Sequence, residues 1–258
     1  MRNIFVIAQR ELKTYFISPV AYVVLTIFTF ISGLLFSLML DAMIEMSASR
    51  AMQSAQRGSL PPPFDVPAWI TQNALGSIGF ILLFILPMIT MALFSEEKKR
   101  GTIELLLTAP ITDLQVVLGK FLAASLFYVV LLLTTGVEIG VLFFVSKPAT
   151  GPIFSAYLGI FLYGLAVLAI GMFISTLTEN QIIAAILSFG VVLVLWLVDV
   201  FARSAGSGSV LAHLSILQPL NDFVAGVIST AHVVFYLSLI LVGLFLTYRS
   251  LDSLRWRG

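Results

Sequence analysis

The chain has 258 residues, of which 59% are hydrophobic and only 10% charged, and its mean hydropathy is +1.06. Ordinary globular proteins are about 45–50% apolar, so this composition excludes a soluble domain and requires lipid to cover part of the surface. The absence of cysteine excludes disulfides, thiolate metal sites and thiol catalysis.

Residues 1–18 are amphipathic and lack a small-residue cleavage site, so they read as a helix and not as a signal peptide. Ile4, Ala8, Leu12, Tyr15 and Phe16 share one side, with Arg2, Arg10 and Lys13 turned elsewhere. That is the pattern of a helix lying in the headgroup plane. Ser18-Pro19 then reads as the N-cap and first residue of a new helix.

About 20 mostly apolar residues are needed to cross ~30 Å of hydrocarbon. Residues 19–40, 74–94, 114–146, 153–177, 181–202 and 233–248 meet or approach that length, and Pro87 predicts a kink in the second. The final span is short and is expected to begin before Val233. Residues 41–73 read as an external loop, polar at first and then proline-rich, too short for a folded head. Residues 203–232 hold two short apolar pieces split by Pro219. Neither can cross, so they are expected to be re-entrant helices at the outer mouth, where backbone at membrane depth needs protein or a cavity around it.

Six spans put both termini on one side. Ten of the 14 Lys and Arg fall with the termini and with the connection between spans two and three, and four fall opposite. The positive-inside rule therefore makes the termini cytoplasmic.

That second connection is the most informative part of the chain. Glu96, Glu97, Lys98, Lys99, Arg100 and Glu104 crowd into residues 96–110, with Asp113 just beyond. Gly101 is a natural residue to follow a helix end. Thr102 can cap a stubby helix over residues 103–109, with Glu104 in its first turn, and Pro110 ends it. Thr112 and Gln115 fit a capping box for span three. Exposed leucines among charges suit a docking surface; the alternative is a helix that lies back on the bilayer.

Elsewhere, Glu138 is the one acid well inside a span. It lies ~27 Å along the helix from Lys120 at 1.5 Å per residue. A lone charge there costs at least ~2.5 kcal/mol, so it requires a partner, a wet cavity or a proton. A pathway role and a hydrogen bond to a neighbouring hydroxyl both fit. Asp199 and Arg203 are spaced for a local ion pair. His213 and His232, the only histidines, have no acid cluster near them in sequence and do not suggest a metal site. No internal repeat relates the first three spans to the last three, which weakens a secondary-transporter reading. A P-loop is also missing: Gly119-Lys120 is followed by Phe121, with Leu114 where the first glycine belongs.

EEKKRGTIELLLTAPITDLQVVLGKFL, starting at Glu96, resembles the cytoplasmic coupling region of ABC-2 type transporter permeases. RELKTYFISPVAYVVLTIFTFISGLLF, from Arg10, is similar to that family's N-terminal elbow and first span. STLTENQIIAAILSF, from Ser175, looks like its tight fourth connection, and RSLDSLRWRG looks like its closing segment. Within the family, the gliding-motility-associated bacterial subgroup is the most similar in character. The resemblance implies an all-α membrane protein: six transmembrane helices, an N-terminal interfacial elbow helix, a cytoplasmic coupling helix and short re-entrant external helices. It implies a non-catalytic permease, dimeric with a copy of itself or a relative, in a bacterial inner-membrane exporter. ATP and Mg would bind to a separate ATPase and no cofactor to this chain; lipid would surround it, and no nucleic acid is expected. The coupling contacts would fall on Glu96, Glu97, Gly101, Thr102, Glu104, Leu105 and Leu106. Two other classes fit the residues: a membrane scaffold that recruits a cytoplasmic protein, and an ion-coupled transporter using Glu138.

Overall fold

A computed structural model describes residues 2–58, 65–103, 111–145, 148–205 and 215–255. Among them the chain is helical throughout: α1 (Arg2–Ile17), α2 (Pro19–Arg57), α3 (Val66–Thr90), α4 (Ala92–Lys99), α5 (Asp113–Val145), α6 (Thr150–Ser175), α7 (Gln181–Ala205), α8 (Leu217–Val224) and α9 (Thr230–Arg255). Six of these stretches are long and apolar enough to cross a membrane, with α3 and α4 together supplying one.

Local chemistry sets the boundaries. The Ser18 side chain accepts the Val20 N–H at 3.3 Å, so α1 stops and α2 starts at the expected Ser-Pro step. Thr112 and Gln115 form the predicted capping box, with two reciprocal bonds of 3.4 Å. Asn180 starts α7 by accepting the Ile182 N–H at 2.9 Å.

The first external connection differs from expectation. Helix α2 continues past residue 40 to Arg57, so the segment after Asp41 is not a loop. Its Ala, Met, Glu, Ser and Arg residues are adequate helix formers, and no Gly or Pro interrupts them before Gly58. Polarity there marks departure from an apolar environment and not the end of the helix. Gly58 ends it with φ +62°. Helix α3 likewise begins earlier than residue 74, where the Asp65 carboxylate accepts the Ala68 N–H at 3.0 Å.

Pro219 does not divide two helices. It is the third residue of α8, in the first turn, where a missing N–H removes no helical bond. The other half of the expected external pair falls mainly on residues 206–214, outside the described residues. Helix α9 starts at Thr230, ahead of Val233 as expected, and runs on to Arg255, beyond residue 248.

Helix α6 is the central element, packed chiefly against α3 and α9. Small residues let its neighbours approach. A Cβ on Gly164 would lie 2.2 Å from the Tyr128 ring, and one on Gly159 2.3 Å from Phe223 of α8. A Cβ on Gly79 of α3 would meet Leu220 of α8 at 2.6 Å. Helix α8 is thus seated in a glycine-lined slot between α3 and α6. By contrast, α2, α7 and α9 leave much apolar surface outward, including Val23, Ile27, Ile186, Val194, Leu241 and Phe245.

Candidate functional site

Residues 96–99 of the charged connection form the end of α4, and hydrogen bonds set the backbone at Gly101 and Thr102. Gly101 adopts φ +69°. The Thr102 N–H reaches the Glu97 carbonyl at 3.0 Å and the Gly101 N–H reaches Lys98 at 3.1 Å. These are the two bonds of a Schellman motif, so Gly101 is the predicted C′ residue. Thr102 closes α4 in addition: its hydroxyl donates to the Glu97 carbonyl at 3.4 Å. Glu104, Leu105 and Leu106, and the rest of the helix expected over residues 103–109, lie outside the described residues apart from Ile103.

The two glutamates at the end of α4 differ. Glu96 is on the surface and pairs with Arg100 one turn later. Glu97 turns inward. Its Oε1 lies 2.9 Å from Lys120 Nζ of α5, and the same ammonium is 3.2 Å from Glu11 Oε1 of α1. Lys120 is only 2% exposed and sits 5.2 Å from the Phe94 ring centroid. Glu11 and Glu97 are 15% and 16% exposed. One buried cation therefore ties together α1, α4 and α5. The glycine before Lys120 admits α1: a Cβ on Gly119 would lie 2.7 Å from Ile7.

Helix α1 makes further contacts with the same region. Asn3 Nδ2 donates to Gln115 Oε1 at 3.2 Å. Tyr15 stacks on Phe127 at 5.2 Å and donates its hydroxyl to the Ile89 carbonyl at 3.3 Å. Burial, and secondarily the Glu11 carboxylate, push the Tyr15 phenol well above its ordinary pKa, so it stays a neutral donor.

The C-terminal end of α6 grips α4 from the other side. Ser175 Oγ accepts the N–H groups of Phe94 and Ser95 at 2.9 and 3.1 Å, and donates to the Met91 carbonyl at 3.2 Å. Lys98 Nζ donates to the Thr176 carbonyl, and the Thr176 hydroxyl reaches Ser250 of α9 at 2.8 Å. The serine was legible only as part of a short connection. Both the start of α1 and the end of α9 therefore lie at the end of the bundle that carries α4.

Glu138 sits between spans, beside the Ser32 hydroxyl of α2 and near Tyr157 of α6. Tyr157 in turn shares a 2.9 Å hydrogen bond with Thr135 of α5. At the opposite end, Asp199 is buried and accepts from Ser215 at 2.8 Å, and Ser215 Oγ accepts the Leu217 and Gln218 N–H groups that open α8. The expected pairing of Asp199 involves the Arg203 side chain, which is outside the described residues. His232 approaches Asp222 at 3.5 Å, and no group of three potential metal ligands occurs among the described residues.

Six apolar helices among the described residues, with α6 central among them, define a multi-pass membrane protein. The ABC-2 family transporter protein model matches residues 5–252, nearly the whole chain. The protein therefore belongs to the ABC-2 family, as a membrane permease subunit of an ABC transporter, a class that associates with an ABC ATPase partner. No curated protein matches the chain.

Proposed function

We propose that this permease is the translocating subunit of a bacterial inner-membrane exporter, and that α4 with residues 96–110 receives the stroke of the partner ATPase. In this reading α1 is the elbow helix lying in the headgroup plane, and both termini are cytoplasmic. The stubby segment after Gly101 is the coupling helix. The observation that carries the reading is the position of Glu97. It belongs to the charged segment the ATPase would contact, yet its carboxylate is inside, on the Lys120 that also holds α1. Movement of the segment would therefore reach α1 and α5 directly.

The outward apolar faces of α2 and α7 suit a second permease, a copy or a relative, which would complete the translocation path. ATP and Mg would be bound wholly by the ATPase. Glu96, Gly101, Thr102, Glu104, Leu105 and Leu106 are the proposed contacts, with Glu97 acting through Lys120.

Glu104→Arg tests this. The variant reverses one charge in the proposed docking helix and leaves the spans unchanged. Normal membrane insertion with loss of ATPase association, or of permease-stimulated ATP hydrolysis, is the expected result. Wild-type binding and stimulation would remove residues 103–109 from the coupling role and leave the scaffold reading in its place.

A further inference from the structure

Helix α3 passes Pro87 and keeps its ladder as far as the Met91 N–H, which bonds to the Pro87 carbonyl at 3.0 Å. The ladder is interrupted for one residue at Met91, whose backbone stays in the right-handed helical region (φ −55°, ψ −35°), and resumes as α4 at Ala92. In an unbroken helix the Phe94 N–H would bond to the Thr90 carbonyl. Here it bonds to Ser175 Oγ, which also takes the Ser95 N–H and returns its own proton to the Met91 carbonyl. A hydroxyl has one donor and two acceptor positions, so Ser175 is used to capacity. It is fully buried. A side chain inserted into the ladder is a recognised cause of a sharp kink.

The surroundings fit a movable joint. Thr90 bonds its hydroxyl to the Leu86 and Pro87 carbonyls at 3.2 and 3.3 Å and packs over Gly171. Tyr15 takes the Ile89 carbonyl from the α1 side. Beside the break lies a cavity of about 300 Å³ bounded by Met88, Met91 and Ala92 on one side and by Thr14, Val24 and Gln181 on the other. It leaves room for the start of α4 to shift.

We infer that Ser175 is a hinge pin, a positioning residue that holds α4 bent away from α3 in one stage of the transport cycle and releases it in another. In either setting the Phe94 N–H has an acceptor and the Ser175 hydroxyl has a carbonyl to donate to. With Ser175 withdrawn, the Phe94 N–H closes onto the Thr90 carbonyl in the ordinary helical manner, and the Ser175 hydroxyl turns back to the carbonyl four residues earlier in α6, at Gly171. A joint with two satisfied arrangements is bistable and converts a small push into a discrete change of angle. The inference rests on the coupling role proposed for α4, and it identifies the residue on which that lever turns.

The chain has no native cysteine, so spin labels at Gln72→Cys in α3 and Lys99→Cys beyond the break report the angle directly. The two sites would be ~40 Å apart along a straight helix at 1.5 Å per residue. In the full-length permease in nanodiscs with its ATPase, Ser175→Ala should lengthen the distance toward the straight value. Ser175→Thr, which keeps the hydroxyl, should restore it. A Ser175→Ala distance equal to wild type overturns the hinge, as does a Ser175→Thr shift as large as that of alanine. The wild-type complex provides an arm without substitution in the core: a non-hydrolysable ATP analogue should populate a second, longer distance, and a single unchanged distance counts against the hinge. If alanine shifts the distance while permease-stimulated ATP hydrolysis stays at the wild-type level, the joint is real and the coupling reading of α4 is what fails.

Discussion

Glu11 and Glu97, 86 positions apart in sequence, share one ammonium: Lys120 Nζ lies 3.2 Å from the first and 2.9 Å from the second. Two carboxylates on one nearly inaccessible cation form an arrangement in which each member depends on the others. Taking charges out of water costs several kcal/mol per ion, and the pairing offsets it only while all partners are present.

Lys120→Met should consequently be much worse than loss of a surface charge. It strands Glu11 and Glu97 together, and breaking a buried pair in this way costs on the order of 3 kcal/mol. The detergent-solubilised protein should melt at a clearly lower temperature. The triple substitution Glu11→Gln, Lys120→Met, Glu97→Gln removes all three charges and should recover most of that loss, without recovering ATPase stimulation. Recovery of both would show that the ion network has no part in coupling.

The glycines of α6 support a packing prediction. Gly164→Ala places a methyl group 2.2 Å from the Tyr128 ring, and Tyr128 is pinned by its hydrogen bond to the Ile160 carbonyl at 2.6 Å. The ring cannot retreat without giving up that bond, so the alanine should cost about 1–3 kcal/mol as overpacking. Thermal unfolding checks it, and pairing with Tyr128→Leu should relieve the strain. Gly136 of α5 has nothing within 4 Å of an added Cβ, so Gly136→Ala is the control expected to melt as wild type.

The same contrast explains what could be read from the sequence. Ser18-Pro19, Gly101 and the Thr112–Gln115 box were legible because a cap depends on residues within a few positions of one another. Spans were legible because lipid demands length and apolarity. The Lys120 and Ser175 contacts were not, since Lys120 meets Glu11 109 positions away and Ser175 meets Phe94 81 positions away, and a lysine or serine in isolation gives no sign of its partner. The segment after Asp41 departs from its sequence reading for a different reason: its polarity suggests a loop, although its residues favour helix and Gly58 is the first to stop one.

Orientation can be tested with single cysteines. Gln53 in the polar end of α2 and Ser253 near the end of α9 are both exposed, whereas the neighbouring Ser54 is buried and unsuitable as a probe. An impermeant thiol reagent added outside intact cells should label Gln53→Cys and leave Ser253→Cys untouched until the membrane is opened. Labelling of the Ser253 position from outside would reverse the proposed orientation.

Glu138 offers the sharpest separation between structure and transport. Its neighbours Ser32, Thr135 and Tyr157 are hydroxyl-bearing residues drawn from three helices, α2, α5 and α6. A glutamine can hydrogen-bond to hydroxyls as well as a carboxyl can, so Glu138→Gln preserves the local packing. It also removes the cost of keeping a carboxylate among the spans, at least ~2.5 kcal/mol for a charge at mid-membrane. The variant should therefore melt at or slightly above the wild-type temperature. If the acid only joins α5 to α2, export and permease-stimulated ATP hydrolysis persist unchanged. If it lines or gates the route, the complex assembles and the ATPase turns over while export falls by tenfold or more. Stability and ATP hydrolysis serve as internal controls. A stable, ATPase-competent variant with full export would remove Glu138 from the pathway and leave Ser32 as the whole reason for its presence.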